Sequence, residues 1–230
     1  AIFTLGYLHY TGRGVKQDYG IALDYYKQSA ALDYSYAYNG LGNIYSLGLG
    51  IEKDYVKALE YYKKAADLGN SNALLNLGNI YSNGDLNISV DNIKAKEFYE
   101  RAVNLGNTKA MNSLGNLYFI GKGIEQDYEK ALSYFRMAAK KGDLDSYNMI
   151  GYYYDKIEQN YGEAKKFYEI AAKQNHPNAL NNLGCLYYHG WGIARDFFEA
   201  KKNFEKSASL NNARGFFLLA KLYLNGEGVK

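Results

Sequence analysis

Cys185 and His189 stand four residues apart, the spacing that places two side chains on one face of a helix. A thiol beside an imidazole is the raw material of a nucleophile–base pair or of half a zinc site. Only His9 and His176 remain as further imidazoles, both distant along the chain, and no third ligand or orienting carboxylate accompanies the pair. The expectation is therefore a protein with no catalytic residues, metal or cofactor, in which Cys185 lines a groove beside a solvated His189. As the only cysteine, Cys185 cannot form an intrachain disulfide, so packing must hold the fold.

A second chemistry is more abundant. Asn39, Asn43, Asn79, Asn112, Asn116, Asn148 and Asn181 recur along the chain among 26 tyrosines. An amide offers both a donor and an acceptor, which is what an extended peptide backbone needs along its length. Asn is also a poor residue for a helix interior, so local propensity does not account for it. Whether these amides share a face depends on the elements that carry them.

Those elements are repeats. A Leu-Gly pair, or its equivalent, places residues 6, 42, 78, 115, 151, 184 and 220 at separations of 36, 36, 37, 36, 33 and 36, glycine in every copy but the last, which has Ala220. Five places earlier comes a small residue (Ala1, Ala37, Ala73, Ala110, Ser146, Ala179, Gly215), and three places later a ring (His9, Tyr45, Tyr81, Tyr118, Tyr154, Tyr187, Tyr223). Three registers kept together define repeats 1–36, 37–72, 73–109, 110–145, 146–178 and 179–214 with a half repeat 215–230, read as one solenoid domain over 1–230.

Positions 1, 5, 8 and 9 of a repeat, such as Ala37, Leu41, Ile44 and Tyr45, follow amphipathic-helix spacing. This first helix ends at a Gly-x-Gly turn, as in Gly48-Leu49-Gly50 and Gly190-Trp191-Gly192. Asp18, Asp54, Asp127 and Asp196 then cap a second helix, whose face includes Ala58, Leu59, Tyr61, Tyr62, Ala65 and Ala66. That helix closes at Gly69, Gly106 or Gly142, or at Asp33, Asn175 or Asn211, and Pro177 falls at a helix start. Two short helices cannot bury both apolar faces alone, so the repeats must stack, with glycine at position 6 admitting a close crossing. Two copies depart from the rule. The third has Gly84-Asp85-Leu86-Asn87 and one extra residue, and the fifth replaces its glycine turn with 155–160, where either a kink or a tight loop is expected.

These residues compose the pattern A-x-x-x-L-G-x-x-Y-x-x-G-x-G-(V/I)-x-x-D-x-x-x-A-x-x-(Y/F)-(Y/F)-x-x-A-A, matched at nearly every place by Ala37 through Ala66. The chain thereby resembles the Sel1-like repeat family, a relative of the tetratricopeptide repeat. The resemblance implies an all-α fold, an α/α right-handed superhelical solenoid of helical hairpins. It also implies a non-catalytic scaffold or adaptor for protein partners. In such stacks the stripe at positions 3, 7, 10 and 11 of the first helix lines the concave groove. Here that stripe carries the asparagines, with Tyr7, Tyr152, Phe119 and Tyr188 as apolar anchors and Trp191 in a neighbouring turn. Two readings stay open: an amide ladder for a peptide or protein segment, or amides that bridge adjacent helices or face water. Trp191 likewise anchors a partner or folds back on the neighbouring repeat.

Composition narrows the remaining classes. A chain that is 47% hydrophobic and 22% charged folds, and a net charge of +3 with interspersed signs advertises no nucleic-acid or membrane surface. RNA reading by a helical repeat is the alternative function, weakened because helix-two lysines such as Lys63-Lys64 and Lys165-Lys166 alternate with glutamates. No apolar stretch is long enough to cross a bilayer. The start at Ala1, without Met or leader, reads as an excised fragment and leaves the compartment open. An apolar flank at Phe216, Phe217, Leu218 and Leu222 is expected to invite another repeat or self-association, and Asn87-Ile88-Ser89 is a lone glycosylation triplet.

Overall fold

The structure of the chain is a computed structural model that describes residues 1–84 and 88–228. The Asn87-Ile88-Ser89 triplet, and the centre of the third repeat's turn, therefore lie outside the described residues in whole or part. The described residues hold helices and no β-strand, so the fold is all-α, and no helix among them is long and apolar enough to cross a membrane.

Two compact units are present, and each is built of the same helical hairpin. The first, Ala1–Gln126, contains α1 (Ile2–Thr11), α2 (Tyr19–Ala30), α3 (Ser35–Leu47), α4 (Tyr55–Asp67), α5 (Ser71–Asn83), α6 (Asn92–Asn104) and α7 (Thr108–Ile120). The second, Asp127–Lys230, contains α8 (Tyr128–Ala139), α9 (Leu144–Lys156), α10 (Tyr161–Lys173), α11 (Pro177–His189), α12 (Phe197–Ser209) and α13 (Ala213–Leu224). Within each unit every helix packs on the next in the chain. Odd-numbered helices are the first, or A, helices of the repeats, and even-numbered ones are the B helices.

The hairpins close by setting an aromatic ring of B over the position-6 glycine of A. A β-carbon added at Gly42 would stand 2.5 Å from Tyr62 Cδ1, and one at Gly184 2.5 Å from Phe204 Cε1. Tyr99 takes this place over Gly78, Tyr168 over Gly151, and Tyr26 lies between Gly6 of its own repeat and Gly40 of the next. All five rings are buried. The position-9 ring meets the outer aromatic of B in a parallel stack: Tyr45 on Tyr61 at 5.5 Å, Tyr81 on Phe98 at 5.6 Å, Tyr154 on Phe167 at 5.7 Å. Between the rings sit fully buried alanines such as Ala58, Ala65, Ala95, Ala164 and Ala171, small enough to let the helices touch.

Turn chemistry follows the sequence closely. Gly12, Gly48, Gly121 and Gly190 end A helices in the left-handed conformation that suits glycine. Asp18, Asp54, Asp91, Asp127 and Asp196 cap B helices, their carboxylates accepting amides of the first turn. The backbone amide of the cap residue donates to the position-9 carbonyl whatever the loop length: Asp54 to Tyr45, Asp91 to Tyr81 across the longer loop, and Asn160 to Tyr154 across the shortened one. The fifth repeat thus closes as a tight loop, with Gln159 adopting the positive φ that glycine supplies elsewhere.

One feature escaped the sequence reading. From α3 onward the A helices begin two residues before the small position-1 residue, and Asn70, Asn107, Asp143, His176 and Asn212 cap the last five by accepting the position-1 amide. The signal was a polar residue three places before Ala73, Ala110, Ser146, Ala179 and Gly215.

This packing generates two expected outcomes. Gly78→Leu drives a side chain into the Tyr99 ring and lowers unfolding free energy by about 1–3 kcal/mol in urea melts. An unchanged midpoint would remove position 78 from the crossing. The second concerns acid. Hydrogen bonds from the backbone amides of Lys57, Lys94 and Lys130 hold the carboxyls of Asp54, Asp91 and Asp127 below their ordinary range. Their contribution is complete above about pH 4 and is lost as pH falls through the depressed folded values. The melting temperature therefore drops on acidification. Replacing all three with Asn, which still caps but does not titrate, reduces that drop, whereas an identical acid slope in the variant would contradict it.

Candidate functional site

The A helices carry the amide stripe, and in the first unit the buried rings beneath determine how it points. The Tyr62 hydroxyl donates to Asn43 Oδ1 at 2.8 Å and lies 3.0 Å from Ser46 Oγ, while Tyr99 donates to Asn79 Oδ1 at 2.9 Å. Burial pushes the Tyr62 hydroxyl up to about 12 and raises that of Tyr99, so both stay protonated donors. Each asparagine consequently turns its carbonyl inward. Asn76 Nδ2 adds bonds to Asn39 Oδ1 at 3.1 Å and Asn43 Oδ1 at 3.2 Å, joining consecutive A helices. No protein group among the described residues accepts from Nδ2 of Asn39, Asn43 or Asn79, and these half-buried amides are left as outward donors.

Between α3 and α5 these groups border an open cleft of about 400 Å³. Its wall combines Asn43, Asn76, Asn79 and Asn83 with Tyr55, Tyr62, Leu47 and Ile80, and it contains no charged side chain. Leu47 is 59% exposed, an apolar contact open to solvent. Further along the unit, Asn116 Nδ2 donates to Asn112 Oδ1 at 2.9 Å within α7, with half-buried Phe119 one turn on. At the other end, Tyr7 is partly exposed, with Phe3 at 6.4 Å and the Arg13 guanidinium 6.0 Å from its ring centre.

A larger cleft of about 790 Å³ lies on the B-helix side, lined by Leu23, Lys27, Tyr45, Ile51 and residues 52–57. Within it Lys57 pairs with Asp54 at 3.1 Å and Lys53 sits 4.9 Å from the centre of the Tyr55 ring, so unlike the amide cleft it is lined by charge.

In the second unit the stripe is more enclosed. Asn148 is buried and its Oδ1 accepts from Asn182 Nδ2 at 3.0 Å, and Asn182 Oδ1 in turn accepts from Arg214 at 3.0 Å. Asn181 is fully buried and donates to Asn212 Oδ1 at 2.9 Å, so it bonds the cap of the next A helix. At position 10, where the other stripe members are neutral, stands Asp155, buried, accepting from the Tyr168 hydroxyl at 3.2 Å and pairing with Lys156 at 3.1 Å. Tyr152 is half-buried one turn before it. Tyr188 packs edge-on against His189 at 4.8 Å and Phe197 at 5.5 Å. Trp191 folds back on its own chain, stacked on His189 at 4.3 Å and on Tyr161 of the preceding repeat at 5.7 Å.

Asn76, Asn182, Asp155 and Arg214 are the members that the sequence reading missed. Asn76 and Asn182 occupy position 4, one place off the chosen stripe, and the recurrence of Asn there in two repeats was the available signal. Burial raises the Cys185 thiol and lowers the His189 imidazole, the reverse of thiolate activation. No cluster of three or more His, Cys, Asp or Glu able to hold a metal occurs among the described residues.

Tandem helical hairpins closed by glycine-seated rings define a helical-repeat protein. Sel1 repeats match residues 1–34, 35–70, 71–107, 108–143, 144–176, 177–212 and 217–230, and the chain belongs to the Sel1 repeat family. It is similar to c5321, a protective antigen of uropathogenic Escherichia coli with this fold, at 28% identity and TM-score 0.87. That match covers 100% of this chain and 50% of the other, so the chain spans about half the length of that relative. A Sel1 repeat protein from Oxalobacter formigenes matches at 28% identity and TM-score 0.81, over 91% of this chain and 86% of its own. No curated protein sequence matches the chain. Sel1-repeat proteins are in general non-catalytic scaffolds for protein interaction.

Asn182 bridges Asn148 and Arg214 and is itself buried, so Asn182→Ala leaves both without that partner. The expected loss is about 1–3 kcal/mol in unfolding free energy, larger than for Asn79→Ala at the open cleft. Equal costs at the two positions would contradict this division into bridging and outward amides.

Proposed function

We propose that this chain is a non-catalytic adaptor that holds an extended segment of a protein partner along its A-helix face, with the cleft between α3 and α5 as the principal contact in the first unit. The orientation of Asn43 and Asn79 carries this reading. Buried tyrosine hydroxyls claim their carbonyls, so the amide hydrogens point outward, where the carbonyl oxygens of an extended backbone would accept them. Leu47 and Ile80 beside them supply apolar contact for a side chain of the segment. Asn39, Asn112 and Asn116 extend the polar stripe, and Tyr7 and Phe119 border it. In the second unit Tyr152, Tyr188 and Trp191 are the exposed or half-exposed rings near the same face, while Asn148 and Asn181 serve to join helices. Recognition of main-chain carbonyls is tolerant of sequence, which suits a scaffold.

The test is selection of peptides from a random display library, followed by titration against variants. Leu47→Arg is expected to weaken a selected peptide about tenfold, equivalent to about 1.4 kcal/mol, with an unchanged melting temperature. Asn79→Ala with Asn116→Ala reports on the wider stripe in the same assay. Peptides whose binding is indifferent to all of these, but lost on changing the B-helix residues Val56 or Lys57, would contradict the proposal.

A further inference from the structure

The charges of the second unit are divided unequally between its two faces. On the B helices, lysines find carboxylates one turn away: Lys165 with Glu169 at 3.2 Å, Lys202 with Glu199 at 3.2 Å, Lys201 with Glu205 at 3.8 Å. On the A side three cations converge on α11 from its two flanking A helices. Lys156 of α9 lies 4.8 Å from the centre of the Trp191 ring, Lys221 of α13 lies 5.6 Å from that of Tyr188, and Arg214 of α13 donates to Asn182. All three are exposed, and neither Arg214 nor Lys221 pairs with a carboxylate among the described residues.

The acids on this side are few and engaged. Asp155 is buried and held by Tyr168 and Lys156. Asp145 is bonded to His176 at 2.9 Å, and Glu227 accepts from Asn225 at 3.2 Å. The same cations reach further groups on α11: Arg214 and Lys156 act on the Cys185 thiol, and Lys221 and Lys156 depress the His189 imidazole after burial has done so. The face is thus a positive patch set among aromatic rings, with hydrogen-bonding capacity that its own chain does not saturate.

We propose that the α11 face between Asn182 and Trp191 docks an acidic segment of the partner protein, with Arg214 and Lys221 pairing its carboxylates and Tyr188 flanking its backbone. This deepens the adaptor reading and rests on it, and it assigns the two units different tastes: uncharged main chain in the first, acidic side chains in the second. A guanidinium carries five donors, so Arg214 keeps its bond to Asn182 and offers the remaining ones to a carboxylate.

The experiment measures fluorescence anisotropy of a labelled dodecapeptide alternating Glu and Ala, titrated with the 230-residue chain. The same peptide with Gln, the same with Lys, and a single-stranded RNA of equal length are the comparisons. The Glu peptide is expected to bind most tightly, to weaken as salt rises, and to lose about tenfold in affinity with Arg214→Gln/Lys221→Gln. Glutamine is too short to keep the bond from Arg214 to Asn182, so Lys221→Gln alone, which leaves that bond in place, is expected to melt as the parent does and to weaken the Glu peptide in the same direction. The B-face control Lys166→Gln/Lys202→Gln is expected to bind as the parent does. Equal binding of Glu and Gln peptides, equal loss in the control, or tighter binding of the RNA overturns the proposal. A Gln peptide held as tightly as the Glu one, and released by Leu47→Arg, overturns this inference while the adaptor reading stands. Failure of every peptide overturns both.

Discussion

Everything in this protein depends on a side chain that is missing. At position 6 of the A helix a glycine lets a whole aromatic ring from the B helix lie against the backbone, and Gly42 under Tyr62 leaves no room for even one methyl group. Glycine within a helix costs roughly 1 kcal/mol in propensity relative to alanine. The contact it permits offsets that cost by burying a tyrosine or phenylalanine between two helices, with van der Waals contact over the full ring. Because the ring is wide and the helices are near, the hairpin has one way to close. Tyr26, seated between Gly6 and Gly40, shows the same device holding one repeat to the next.

The ring also connects core to surface. A tyrosine long enough to cross the hairpin delivers its hydroxyl to the A-helix stripe, where it meets Asn43, Asn79 or Asp155. Packing inside the repeat therefore decides which end of each amide faces out. Where Phe204 or Phe135 replaces tyrosine there is no hydroxyl to deliver, and position 7 carries Cys185 in the one repeat and Asn116 in the other. The two units diverge from this shared plan by a handful of stripe residues. Neutral amides line the first, while Asp155, Lys156, Arg214 and Lys221 charge the second. A scaffold can diversify in this manner because stripe positions change without disturbing the crossing.

Much of this was legible in the chain itself. The repeat registers, the aspartate caps of the B helices and the left-handed closures at Asp33, Asn175 and Asn211 are local devices, each written within a few neighbouring residues, and the structure shows them all. The division of labour among the asparagines was not legible, because it depends on partners 19 to 37 residues away. Asn76 meets Asn39, and Asn182 meets Asn148, through stacking of one repeat on another. Helical spacing placed Asn181 on the stripe, yet its neighbour Asn182 reaches the stripe partner while Asn181 bonds the cap of the next A helix. A rotation of one residue around a helix is beyond what periodicity resolves. The caps of the A helices were missed for a simpler reason: Asn, Asp and His in a short connection between helices suit a turn as well as they suit a cap, and the residue type alone does not separate the two.

The chain belongs to the Sel1 repeat family, whose members are in general protein-interaction scaffolds. The central claim, however, is the crossing, and a double-mutant cycle between Gly42 and Tyr62 measures it directly by urea unfolding. Helix propensity alone makes Gly42→Ala stabilising by about 1 kcal/mol. The crossing makes it destabilising by about 1–3 kcal/mol in the native background, and relieves that penalty once Tyr62 is replaced by Leu. Stabilisation by Gly42→Ala with Tyr62 in place, or equal effects in the two backgrounds, would contradict the account.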